Sequence, residues 1–212
     1  MKAVRLPLAK IATVTVVVAV AMLSVLLLVT GVSRDVALES ATRAGLVITA
    51  SGVFWGFYNR WGWKLGILRL GGWLSPYPDL NGRWEGILRR TGEDEDRPFV
   101  LEIRQTWSTL SFHTFSRRSQ GHSDAAFLTF DEDQSTFGVV AVWQSRTNRQ
   151  GDPLEKETFR GTSLWRIALD DQPGDLNDRI RIVDEYYTSR RPATSGVTEL
   201  RRVSKHRRNS FQ

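Results

Sequence analysis

FVLEIRQTWSTLSFHTF, residues 99–115, decides the fold class. Phe99, Leu101 and Ile103 alternate with Val100, Glu102 and Arg104. After a polar break, Leu110 and Phe112 alternate with Ser111 and His113. A period of two belongs to a strand with one face in a core. GVTELRRV, residues 196–203, repeats the pattern. Working outward from these stretches, the sequence predicts strands at Gly82–Arg90, Phe99–Trp107, Leu110–Phe115, Ala125–Phe130, Phe137–Gln144, Thr162–Leu169, Arg179–Ser189 and Gly196–Val203. TGEDED, SQGHSD, DEDQ, NRQGDP, DDQPGD and RPATSG supply turn residues between them. Strands this short, with hairpin-scale gaps, predict an antiparallel up-and-down β-barrel of about eight strands, with a two-sheet sandwich as the other solution. Trp84, Leu101, Ile103, Phe112, Phe127, Val139, Trp143, Trp165, Ile167, Ile180 and Ile182 are the expected inward residues.

The N-terminal third reads differently. Ile11–Ser33 carries no charge and is long enough to cross a bilayer as a helix. Ala44–Asn59, bounded by Arg43 and Arg60, is a shorter second candidate, and Trp55, Trp61, Trp63 and Trp73 lie along it or just beyond. The fold class expected is therefore a membrane-anchored all-β protein. Its parts would be an anchor over 1–74 with transmembrane helices at about 11–33 and 44–63, a barrel over 75–203, and a basic tail over 204–212. Cations flank both ends of the helical pair and its tip is neutral. This predicts a multi-pass protein of a bacterial inner membrane with the N-terminus and the C-terminal domain in the cytoplasm.

Charge follows the same division. Residues 1–78 hold Lys2, Arg5, Lys10, Arg34, Arg43, Arg60, Lys64 and Arg69 against Asp35 and Glu39, so the formal net charge of +6 lies there and the remainder is balanced. A balanced polar domain argues against a nucleic-acid polymer as partner. With Cys 0 and His 3 there is no thiolate chemistry and little basis for a histidine metal site. No nucleophile elbow, zincin motif or phosphate loop occurs. The sequence thus points to a binding protein rather than an enzyme, with no cofactor. Arg201, Arg202, Lys205, Arg207 and Arg208 make the tail a solvated basic segment, suited to anionic lipid.

YYTSRRPATSG, residues 186–196, is the strongest candidate site. It joins aromatic rings that stack on bases to hydroxyls and adjacent arginines that hold phosphate. The expected ligand-binding residues are Tyr186, Tyr187, Thr188, Arg190, Arg191, Thr194 and Ser195, with Arg104, Trp107 and Arg118 completing a pocket at a barrel mouth.

Two hydrophobic segments, the opening Pro78-x-Leu80-x-Gly82-x-Trp84-x-Gly86, and a final hairpin with Tyr187, Thr188, Arg190 and Gly196 together resemble the CD-NTase-associated transmembrane β-barrel effectors of bacterial CBASS anti-phage defence. That resemblance implies an antiviral receptor-effector. A cyclic dinucleotide made by a partner CD-NTase would bind the barrel. The transmembrane segments would then self-associate into oligomers and disrupt the inner membrane, giving abortive infection. The phospholipid bilayer would be the second partner. The competing readings are a membrane-tethered lipocalin-like carrier of an apolar ligand and a structural envelope protein.

Overall fold

Alternation along the chain becomes a closed sheet. The computed structural model describes residues 2–3, 8–30, 36–65, 74–75, 77–117, 119–131, 136–147, 158–169, 180–189 and 193–211. Among them are β1 (Lys2–Ala3), α1 (Leu8–Thr30), α2 (Val36–Arg60) and a 3-10 turn at Gly62–Lys64. There follow β2 (Gly82–Arg90), β3 (Asp96–Gln105), β4 (Leu110–Ser116), β5 (Ser119–Asp131), β6 (Thr136–Thr147), β7 (Thr158–Leu169), β8 (Ile180–Thr188) and β9 (Ser195–Ser204). Each strand from β2 to β9 pairs antiparallel with the next, and β9 returns to β2. The result is an eight-strand antiparallel barrel with no free edge, apart from the two-residue addition of β1 to β5. The predicted barrel is present. The chain divides into this barrel unit and a second unit comprising Arg5–Tyr77 with Thr106–Ser108.

Two details depart from expectation. SQGHSD was expected to turn, yet Gln120, Gly121 and His122 pair with Arg146, Ser145 and Gln144 inside β5. The register then shifts between Ser123 and Ala125. A bulge of one residue exchanges inside for outside. Phe127, expected inward, is therefore 61% exposed, and Ala126 and Leu128 pack on the core instead. Trp107 lies beyond the end of β3 and belongs to the helical unit.

Trp84, Ile103, Phe112, Val139, Trp165, Ile182 and Leu200 form the barrel core. The opening motif seals one end of it. Trp84 donates its indole N–H to the Leu80 carbonyl at 2.9 Å, and the Arg202 guanidinium lies 4.6 Å from the Trp84 ring centroid. The Leu80 N–H donates to Gln105 Oε1 at 2.7 Å, and the Asn81 amide bonds the Gln105 backbone in both directions. The tail's residues 205–209 are exposed, but its backbone is tied to the barrel wall. Arg83 and Glu102, register partners on the outer wall, are both buried and paired at 3.0 Å. Arg83 also donates to the carbonyls of Ser210 and Phe211, while the N–H groups of Arg208 and Asn209 donate to Glu102. The tail thereby supplies the hydrogen bonds that a buried ion pair needs.

In the helical unit, Tyr58, Trp63, Leu74 and Trp107 form a buried aromatic cluster, with Phe54 and Trp55 packed against it. Trp55 donates to Thr15 Oγ1 at 2.9 Å. Trp55 and Trp63 are thus packing residues, not an interfacial belt; Trp73 lies outside the described residues. Among the described residues no helix is long and apolar enough to cross a membrane. The expected transmembrane helices at 11–33 and 44–63, and the multi-pass inner-membrane placement built on them, are corrected accordingly. In α2 the uncharged run between Arg43 and Arg60 rises only ~24 Å against a ~30 Å hydrocarbon core. Residues 31–33 lie outside the described residues.

Glu102→Ala leaves Arg83 to Glu85, at 2.6 Å, and takes the acceptor from the Arg208 and Asn209 N–H groups, and is expected to cost about 3 kcal/mol in denaturant unfolding, while the double change Arg83→Met/Glu102→Leu recovers part of it. Equal losses in the single and double variants would contradict this account of the pair.

Candidate functional site

The barrel interior changes character along its axis. Inward positions on β8 run Ile180, Ile182, Asp184, Tyr186, Thr188. On β6 they run Val139, Ala141, Trp143, Ser145, Thr147, and on β7, read backwards, Ile167, Trp165, Ser163. On β9 Leu200 gives way to Thr198, with Thr194 just before the strand, and on β4 Phe112 gives way to Thr114 and Ser116. On β2 and β3 the last inward residues are Arg90 and Arg97. In each strand the switch goes toward the end that carries the β2–β3, β4–β5 and β8–β9 connections. One end is thus an apolar floor and the other a mouth of hydroxyls, aromatic rings and arginines. Between them lies a cavity of ≈ 430 Å³, within the ~300–1,000 Å³ typical of small-ligand sites.

Close backbone approach shapes its wall. A Cβ on Gly161 would lie 2.3 Å from the Trp143 ring, so only glycine lets that indole lie flat there. A Cβ on Gly196, the register partner of Tyr186, would lie 2.7 Å from the Tyr186 hydroxyl. These glycines seat two rings in the mouth. Trp143 then donates to Ser163 Oγ at 2.9 Å, and Ser163 donates to Asp184 Oδ2 at 3.3 Å.

Charge at the mouth is balanced internally. Glu93, in the β2–β3 turn, accepts from Arg90 at 2.8 Å and also from Arg97. Arg97 pairs further with Glu95 at 3.1 Å. Arg117 lines the same mouth. The Arg90 hydrogen bond holds the Glu93 carboxyl below the usual carboxylate range. Burial pushes the Tyr186 phenol up, against the attraction of Arg90. Asp184 is deeper, 6% exposed, and burial raises its carboxyl to about 7. The Ser163 hydrogen bond opposes this, the nearby charge of Glu185 reinforces it, and the Trp165 indole favours the ionised form without closing a hydrogen bond.

The sequence-predicted residues are divided by this geometry. Tyr186, Thr188 and Thr194 line the cavity. The two threonines also bond each other, Oγ1 to Oγ1 at 2.7 Å, and so close the β8–β9 hairpin. Ser195 bonds Thr91 at 3.1 Å and is not part of the lining. Tyr187 is 59% exposed on the outer wall, since neighbours on a strand face opposite ways. Arg104 is exposed near the far end of β3, and Trp107 sits in the helical unit's cluster. Arg118, Arg190 and Arg191 lie outside the described residues. Sequence reading missed Arg90, Arg97, Ser163 and Asp184. The signal was parity: once Ile180 and Ile182 were inward, Asp184 and Tyr186 had to follow.

A family model described as Cap15, cyclic dinucleotide receptor domain, matches residues 75–202. No curated protein matches the chain.

Asp184 binds its proton more tightly folded than unfolded, so folding stability falls as pH rises from about 4 to about 7, by ~1.4 kcal/mol per unit within that window. Asp184→Asn is expected to raise the unfolding midpoint at pH 8 and to leave it nearly unchanged at pH 4. An equal shift at both would refute the assignment.

Proposed function

The chain belongs to the Cap15 cyclic dinucleotide receptor domain family, and from that premise we propose that the barrel mouth binds a cyclic dinucleotide made by a partner nucleotidyltransferase of a CBASS anti-phage system. The observation that carries this reading is the mouth itself: arginines and hydroxyls ringed by aromatic side chains above an apolar floor. Paired guanidinium donors hold phosphate, and aromatic faces stack on bases. Glu93 bridges the two arginines with two carboxylate oxygens. A ligand phosphate takes its place and exchanges one anion for another, so a neutral domain suffices. Arg90, Arg97 and Arg117, which line the mouth, supply guanidinium groups for the phosphates. The site binds without turnover. A lipocalin-like carrier fits less well, because an apolar ligand would cut this ring of charged and hydroxyl groups off from water.

The proposal extends to the helical unit. Val16, Val17, Val20, Leu28, Ile48 and Val53 are exposed apolar residues on its helices. Occupancy of the barrel favours self-association of these units against a phospholipid bilayer, and loss of bilayer integrity kills the infected cell. For that, the ligand must bind the associated state more tightly than the dispersed one.

Calorimetry of the full-length protein against 3′,3′-linked cyclic dinucleotides tests the receptor reading. At least one ligand is expected to bind, and Arg97→Ala to weaken it by ~1.5–3 kcal/mol. Glu93→Gln, which leaves Arg90 and Arg97 less tightly held, is expected to tighten it. No heat with any ligand, or tight binding that ignores Arg97, sinks the proposal. Toxicity on expression that needs no nucleotide synthase would remove the effector step.

A further inference from the structure

Trp165 Nε1, Asp184 Oδ1 and Thr198 Oγ1 are sealed from solvent in the barrel and find no hydrogen-bond partner among the described residues, whereas Arg90, whose Nε is also sealed, is held through its Nη1 by Glu93. The first three are not scattered. Trp165 pairs in register with Asp184, and Asp184 with Thr198, so the three side chains form one transverse row across β7, β8 and β9. All three residues line the cavity and are more than nine-tenths buried, at 1%, 6% and 0% exposure. Buried polar groups are as a rule satisfied, and three adjacent exceptions in one cavity call for a ligand that completes them.

The row has a fixed polarity. Trp165 N–H can only donate. Ser163 accepts the Trp143 N–H at 2.9 Å, so its own hydroxyl hydrogen is directed to Asp184 Oδ2 at 3.3 Å. That leaves Asp184 Oδ1, when ionised, as an acceptor in the centre. Thr198 can donate or accept. Read across the strands, the row is donor, acceptor, hydroxyl.

We infer that this row reads the edge of one base of the ligand and selects a base with a carbonyl beside a ring N–H over a base with an amino group beside a bare ring nitrogen. The carbonyl accepts from Trp165 and the ring N–H donates to Asp184. Guanine continues with an amino donor, which Thr198 accepts. Uracil continues with a second carbonyl, to which Thr198 donates. Adenine and cytosine set an amino donor against the Trp165 donor and a lone pair against the carboxylate. Phe112, whose ring centroid is 4.9 Å from that of Trp165, and Trp143 wall the base at this depth. Reading a base edge with buried polar groups between aromatic walls is an established physical solution. Sites of that kind discriminate strongly, because the wrong base leaves their groups unpaired.

The inference rests on the receptor reading above, and the test separates the two. The full-length protein is titrated with the 3′,3′-linked cyclic dinucleotides of guanine, uracil, adenine and cytosine. The guanine or the uracil ligand is expected to bind at least about tenfold more tightly than the adenine and cytosine ligands. In Asp184→Asn the carbonyl keeps the Ser163 hydrogen bond and the amide NH2 takes the place of Oδ1, so a donor now faces the base. The preference is expected to vanish or reverse. Thr198→Val, which leaves Asp184 untouched, narrows the preference without reversing it. Binding of the adenine or cytosine ligand as tightly as the others, or an unchanged ratio in both variants, overturns the base-reading row and leaves the receptor intact. Binding of no ligand overturns the receptor reading and the row with it.

Discussion

Closure of the sheet between β2 and β9 is the constraint on which everything else depends. An open meander of these strands would have a front and a back. The closed one has an inside and an outside, and the inside has a fixed width. Every second residue must then fill that width or leave a hole. At one end Trp84, Trp165 and Phe112 fill it. At the other end serines and threonines take inward positions between Trp143, Tyr186 and the arginines, and the space they leave is the cavity. Floor and site are thus a single pattern of side-chain size and polarity, laid along strands whose geometry hardly changes.

The arginines of the mouth can remain in place because the β2–β3 turn brings its own carboxylates. Bare guanidinium groups crowded at a barrel rim would repel one another, and a strongly basic mouth would attract any polyanion. Glu93 bridging Arg90 and Arg97 lowers both problems. Arg83 and Glu102 show the same economy on the outer wall, where the tail supplies the remaining hydrogen bonds. Charge on this domain is therefore matched locally. That is why its balanced composition neither hid the site nor pointed to it.

The fold was legible because alternation is a local signal and survives without knowledge of neighbours. Gly82–Arg90 is legible to the residue and the other strands to within four, except β5, which starts six residues before Ala125. The main loss came in β5, where a bulge beside Asp124 swapped faces and put Phe127 outside. Nothing local distinguishes that bulge from a turn, since both use Ser, Gly and Asp. The site was half legible. Tyr186, Thr188 and Thr194 were found by composition, but composition also drew in Tyr187 and Ser195, which face elsewhere. Arg90 and Arg97 were passed over because they sit in strands that looked like plain framework. The helical anchor failed for a different reason. Hydropathy measures transfer from water and does not say whether an aromatic such as Trp63 meets lipid or protein. Here it meets Tyr58 and Trp107.

The row of Trp165, Asp184 and Thr198 bears on how a small barrel can be a receptor at all. A barrel of this size reaches its best stability by filling its interior, and a carboxyl among tryptophans works against that. Replacing Asp184 with an apolar residue would have been the simpler core. Its presence on a row with two other unsatisfied groups means that stability has been given up at that depth. A ligand that repairs the deficit is bound more strongly than one that merely fills the space, since each wrong base leaves the same groups buried and unpaired. Selectivity and instability are then two readings of one arrangement. In the proposed receptor the arginines above hold the phosphates, which every cyclic dinucleotide carries, and the row of Trp165, Asp184 and Thr198 is left to tell one base from another.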